Sequence, residues 1–253
     1  MPDPFADAKS KLAWAEKRFT DLHREVGNFG NFDAYEEIIE PHPDKPSYQV
    51  RKVRLTQAFP PDIAHITEEI VNSLRSALDV AGYAVALASG KSNPQYCAFP
   101  FAGSVTSMAQ SLAGRCKDIP TPIQSLFFGF QPYPGGDDLL WSLNEICNTE
   151  KHKRVAPVGT GAYPMGARAR GTGFSEIPSP HVWDNTKNEM VLITLGPGAQ
   201  FDYEFNFRLF VAFGEIKVVG GSELTGTLHK IGHKVDTILA AIEAESRRLG
   251  FVE

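Results

Sequence analysis

From Phe201 to Phe213 the chain alternates without a break. Phe201, Tyr203, Phe205, Phe207, Leu209, Val211 and Phe213 interleave with Asp202, Glu204, Asn206, Arg208, Phe210 and Ala212. A period of two with one wholly apolar set marks a β-strand, and a strand of about 13 residues would run roughly 44 Å. A sheet is therefore obligatory, and its apolar face has to be covered. Glu189–Leu195 is the expected antiparallel partner, across the turn Gly196-Pro197-Gly198. Two more strand-like runs, Tyr35–Glu40 and Tyr48–Leu55, are separated by Pro41, Pro43 and Pro46. They predict an antiparallel pair with a proline-rich turn, suited to a sheet edge.

Elsewhere the apolar residues follow a helical period. Leu12, Ala15, Phe19, Leu22 and Val26 predict a helix over about 3–28, stopped by Gly27 and Gly30. Pro60-Pro61-Asp62 opens a second helix over 62–89, with Asp62 as the expected N-cap and Gly90 just past its end. Its arc Ile63, Ile66, Ile70, Leu74, Ala77, Ala81 and Val85 faces away from a polar stripe of Glu68, Asn72, Arg75 and Asp79. Beyond Val80 the stripe becomes Gly82, Tyr83 and Ala86, so the second half is expected to be buried nearly all round.

Residues 91–136 are irregular and rich in Pro, Gly and Phe, with short helices expected around Ser104–Leu112 and Pro122–Phe128. A helix over 137–154 has Leu139, Leu140, Leu143, Ile146 and Cys147 on one face. Trp141, Asn144, Asn148 and His152 occupy the adjoining flank. Ser222 is the expected cap of a final helix over 222–249. The whole predicts an α+β fold in a single domain, 1–253. Helices near 3–28, 62–89 and 137–154 accompany an antiparallel sheet with strands near 35–55 and 181–219, and a long C-terminal helix.

A hydrophobic content of 42% with 17 Phe suits a sizeable core in 253 residues. A formal net charge of −5 supplies no global field for nucleic acid, which is not the favoured partner. Cys97, Cys116 and Cys147 are odd in number and form no C-x-x-C pair, so a reduced, cytoplasmic setting is expected. The stretch Met1-Pro-Asp-Pro-Phe5 lacks the pattern of a secretory signal. The longest apolar run, Val80–Ala88, falls well short of the roughly 20 residues of a membrane span, so a soluble protein is expected.

The candidate chemistry lies on the two striped helices. Arg75 and Asp79 are four apart and can pair, either as a core-edge salt bridge or with Arg75 reaching into a cleft to bind an anion. Asn144, Asn148 and His152 add two amides and an imidazole able to act as a general acid or base. Lys151, Lys153 and Arg154, with Arg168 and Arg170, make one locally basic region. It is a candidate anion site, although cations at a helix C-terminus also offset its dipole. His229, His233 and Asp236 share a helical flank, but Lys230 stands where the zinc-protease pattern needs Glu; a solvated face is expected and no metal. The glycine-rich stretches match neither phosphate-loop nor dinucleotide patterns, and no serine nucleophile elbow occurs, so no cofactor is expected. The strand 201–213 also offers an edge for self-assembly.

Asn72-Ser-Leu-Arg-Ser-Ala-Leu-Asp79, followed by Leu143-Asn-Glu-Ile-Cys-Asn-Thr-Glu-Lys-His-Lys-Arg154, resembles a widespread group of bacterial proteins without an established activity. Chains of that group read roughly H-N-L-R-S-A-L-D-H in one helix and N-x-D-K-H-R in a later one. Phe99-Pro100 and Gln131-Pro132-Tyr133 match their intervening segments, and the likeness covers about residues 60–155. The group's Arg, followed after four residues by His, is similar to the motif of HEPN-type ribonucleases. Here Asn72 and Val80 occupy the two histidine positions, and Glu150 replaces the Asp before Lys-His. The resemblance implies a polar cluster of Arg75, Asp79, Asn144, Asn148 and His152 between two helices. The alternative it implies is an RNA-cleaving or phosphate-handling hydrolase that uses His152 with Arg75.

Overall fold

The apolar arc of the second long helix is buried along its whole length, from Ile63 to Val85. The structure is a computed structural model describing residues 3–29, 35–153, 158–178, 182–184, 186–214 and 216–252. Side chains of 149–153, 158–169, 201 and 203–209 lie outside that description. Helix α2 (Pro61–Ala88) is central, packed by α1 (Ala6–Phe29), α5 (Asp138–Lys153) and α6 (Leu224–Arg248) around one large core. Two shorter helices, α3 (Val105–Arg115) and α4 (Thr121–Gly129), fold the irregular middle segment against them. Ser104 and Ser107 start α3 with a reciprocal capping box. The α+β architecture expected from the sequence is the one observed.

Several local expectations are corrected. Gly27 does not stop α1, which continues to Phe29. The Phe29 ring is buried edge-on against Phe59 and Tyr35, which outweighs the ~1 kcal/mol helix penalty of one glycine. Asp62 is not the cap of α2: Pro60 holds that position, Pro61 needs no N–H partner, and Asp62 sits in the first turn, where the dipole favours it. The second half of α2 is not covered all round, because Tyr83 and Leu87 are exposed and only Gly82 and Ala86 of that side are buried. Glu223, not Ser222, caps α6, its carboxylate accepting from the N–H groups of Thr225 (3.0 Å) and Gly226 (2.6 Å).

Strands β1 (Tyr35–His42) and β2 (Lys45–Leu55) pair antiparallel, with β1, which carries Pro41, at the sheet edge. The expected hairpin across Gly196-Pro197-Gly198 does not form. Strand β6 (Glu189–Leu195) pairs instead with β2, β4 (Ser175–Glu176) and β5 (Trp183–Asp184). Strand β7 (Gln200–Phe213) pairs with β3 (Val158–Thr172) as a separate two-stranded ribbon. The registers explain why: Thr172 faces Gln200 and Ser175 faces Leu195, so the two arms pass the glycine segment together without reversing. The chain reverses earlier, between Asp184 and Glu189, where the Asp184 carboxylate accepts from the N–H groups of Thr186 and Lys187. At the bend Gly173, with φ +102°, lies so close to Ala199 that a Cβ would sit 2.8 Å from its Cα.

An ion network ties the five-stranded sheet together. Glu189 of β6 accepts from Lys52 Nζ at 2.8 Å and from Arg54 Nε at 2.8 Å, and Lys52 also donates to Glu40 of β1. The Glu189 and Lys52 side chains are only 5% and 10% exposed. Burial pushes the Glu189 carboxyl up, yet its hydrogen bonds from Lys52 and Arg54 outweigh that and hold it below its ordinary value. Burial likewise lowers Lys52, and its bonds to Glu189 and Glu40 overcompensate, leaving it raised.

A depressed carboxylate stabilises above its unfolded pKa and loses that contribution as pH falls through the folded value. A raised lysine stabilises below its unfolded pKa and loses it as pH rises through the folded value. Urea unfolding should therefore show a plateau from roughly pH 5 to 10 with shoulders on both sides. Glu189→Gln should lower the plateau and flatten the acid shoulder; an unchanged acid limb would show that Glu189 is not the titrating group.

Candidate functional site

The site starts from a glycine. A Cβ on Gly82 of α2 would lie 2.0 Å from the carbonyl oxygen of Cys97, so glycine at this position lets the segment 95–101 rest directly on the helix. That segment is pinned further along. Asp118 accepts from the N–H groups of Gln95 (2.8 Å) and Tyr96 (2.9 Å), and the Cys116 thiol reaches the Ala98 carbonyl at 3.3 Å. Held there, Phe99 donates its N–H to Asp79 Oδ1 at 2.8 Å, and the Phe101 ring lies 4.0 Å from the guanidinium carbon of Arg75.

Arg75 is fixed on three sides. Its Nε lies 3.4 Å from Asp79 Oδ2, its Nη1 donates to Asn144 Oδ1 of α5 at 2.7 Å, and its face stacks on Phe101. Its side chain is 15% exposed, that of Asp79 37%. The guanidinium carries five donors, and among the described residues Nη2 has no partner. A cavity of about 360 Å³ opens beside it between α2, α5 and the 101–103 segment, with Trp141, Asn148 and Arg115 on its walls. Arg115, in the last turn of α3, is exposed and has no hydrogen-bond or ion-pair partner among the described residues.

Compared with family models, with curated proteins and with solved structures, the chain finds no match in any of the three.

The structure thus brings Arg75, Asp79 and Asn144 into contact and sets Asn148 on the same cavity. The polar stripe of α2 is split, however: Glu68 and Asn72 line a different, shallow groove against α1 with Trp14 and His65. The backbone of α5 runs through position 152, one turn beyond Asn148, but the side chains of Lys151, His152 and Lys153 lie outside the described residues, as does Arg154. Arg168 and Arg170 fall on β3, in register opposite Glu204 and Asp202 of β7.

His229 meets His23 of α1 rather than standing free on α6. Their Nε2 atoms are 2.7 Å apart, their ring centroids 5.0 Å apart, and His229 stacks on Phe19. Those two distances place the nitrogens nearly head-on, the geometry of one N–H···N bond, which needs at least one neutral ring. Among the described residues no group of three or more His, Cys, Asp or Glu is arranged to hold a metal ion. None of their helices is long and apolar enough to cross a membrane.

The thiols near the cavity supply no nucleophile. Burial raises the thiol of Cys97 and pushes that of Cys116 up to about 12, so neither is a thiolate near neutrality. The Cys147 thiol points at the Val71 carbonyl. Both Asp79 oxygens are engaged, by Phe99 N–H and by Arg75. The cavity is lined by the held guanidinium of Arg75 with its partner Asp79, the amides of Asn144 and Asn148, the Glu145 carboxylate, and a second, exposed guanidinium from Arg115. Phe101 and Arg115 escaped sequence reasoning, because they lie in the irregular middle segment, where no periodicity assigns a direction to a side chain.

Proposed function

We propose that this is a bacterial, cytoplasmic binding protein that takes up a small anion in the cleft between α2 and α5, with Arg75 as its anchor. The observation that carries this reading is the Arg75 guanidinium, held by Asp79, Asn144 and Phe101 with Nη2 left over at the cavity. A donor that is already ordered loses little entropy on binding, and a planar fork suits carboxylate or phosphate oxygens. Three free thiols fit a reducing compartment, and the resemblance of 60–155 to a bacterial group supports the source.

Titration of the protein with inorganic phosphate, followed by backbone amide shifts, tests the reading. Saturable shifts are expected at Phe99, Ala102 and Asn144. Arg75→Lys, which keeps the charge but loses the fork, should weaken binding at least tenfold with an unchanged circular dichroism spectrum. No saturable response, or equal affinity in Arg75→Lys, refutes it. The rival is a HEPN-like hydrolase cleaving RNA. In its favour, position 152 follows Asn144 and Asn148 along α5 at the same four-residue spacing. Cleavage of a single-stranded RNA that disappears in a folded His152→Ala variant would replace the binding reading with that one.

A further inference from the structure

The cleft does not end at Arg115. Across Phe101, Ala102 and Gly103 a second hollow of about 380 Å³ opens over α3, and Arg115 lines both hollows. The α3 side of it consists of Ser107, Gln110, Ser111 and Gly114: hydroxyls, one amide and bare backbone, without a carboxylate or a large apolar group. A Cβ on Gly103 or Gly114 would meet nothing within 4 Å, so both glycines border open space. Gln110 is exposed and has no partner among the described residues.

Resting on the anion-binding reading above, we infer that the ligand is a phosphorylated sugar lying along both hollows. Its phosphate sits between the fixed guanidinium of Arg75 and the exposed one of Arg115, and its hydroxyls extend over α3. The two ends differ in the required way. The head is met by two forked cations, which suit a phosphate with several acceptor oxygens. Of the two carboxylates on the same hollow, Asp79 is already engaged by Arg75 and the Phe99 N–H, and Glu145 leaves the two guanidiniums in balance with one acid. Beyond Arg115 the lining holds no counter-charge, so the tail is neutral. The Gln110 amide both donates and accepts hydrogen bonds, so the tail is rich in hydroxyls; an apolar tail would leave that amide unpaired on binding. The Ser107 and Ser111 hydroxyls already donate to the Ser104 and Phe101 carbonyls and can still accept. Each hollow alone is near the lower limit of ordinary ligand sites, whereas the two side by side, sharing Phe101, Ala102, Gly103 and Arg115, accommodate a hexose phosphate.

Calorimetric titration of the intact chain with glucose 6-phosphate, inorganic phosphate and glucose tests this. Glucose 6-phosphate should bind at least tenfold more tightly than inorganic phosphate, with no measurable binding of glucose alone. Gly114→Trp, which fills the second hollow, should bring glucose 6-phosphate to within about threefold of inorganic phosphate while leaving the latter unchanged. Gln110→Ala, on the exposed face of α3, should weaken only the sugar phosphate. Equal affinities in the unmodified protein, or an advantage that survives both substitutions, overturn the extended ligand and leave the anion reading standing. Failure of both phosphates to bind overturns the two together.

Discussion

Gly82→Ala should destabilise the protein by about 3 kcal/mol, the upper range for overpacking, although glycine to alanine inside a helix ordinarily gains up to ~1 kcal/mol. The new methyl would meet the Cys97 carbonyl, a backbone atom with no rotamer to retreat into. The segment 95–101 would have to lift, taking with it the Phe99 N–H bond to Asp79 and the Phe101 ring under Arg75. Urea denaturation measures the loss, and the Phe99 amide shift reports the displaced segment. Gly27→Ala on α1 is the control, since nothing lies within 4 Å of its Cβ; it should be neutral or stabilising. A Gly82→Ala protein as stable as the parent would mean that the segment does not rest on α2, and the site built on that contact would fall with it.

Glu189→Ala is the second large effect, expected to cost about 3–5 kcal/mol in chemical denaturation. The magnitude comes from what remains. Lys52, 10% exposed, would keep only Glu40, and Arg54 would lose a partner that holds it through two nitrogens. Replacing both members of the buried pair, as Lys52→Met with Glu189→Leu, should recover much of the loss, because the cost lies in the stranded charge rather than in the missing bond. A double-mutant cycle with Lys52→Met quantifies the coupling. A loss below ~1 kcal/mol in Glu189→Ala would show that water already solvates the network.

The helices were legible because burial follows a period that the sequence carries openly, as the arc from Ile63 to Val85 shows. Strand partners were not. Alternation identifies the two faces of 201–213 but holds nothing about which edge meets which neighbour, and Gly196-Pro197-Gly198 resembles a hairpin turn while serving as a bend in a longer one. Asp184 and Asn188 flank the true turn, and Asn188, with φ 51°, was the available signal. At the candidate site, the i, i+4 relation of Arg75 and Asp79 and the flank position of Asn144 could be read from spacing. Phe101 could not, since its approach depends on one glycine contact across the fold, and Arg115 could not, since the direction of α3 is set by the irregular segments on either side of it.

Strand β2 acquires its second neighbour late. Arg54 and Glu189 stand 135 positions apart, so at ordinary ribosomal rates β2 waits on the order of ten seconds for β6 to be synthesised. During that interval the β1–β2 hairpin presents an open edge, the kind of surface through which nascent chains aggregate. The residues along it include Arg51, Lys52 and Arg54. Of these charges, Lys52 and Arg54 later meet Glu189 across the sheet; all three first serve as gatekeepers that discourage pairing with a stranger before the proper strand arrives.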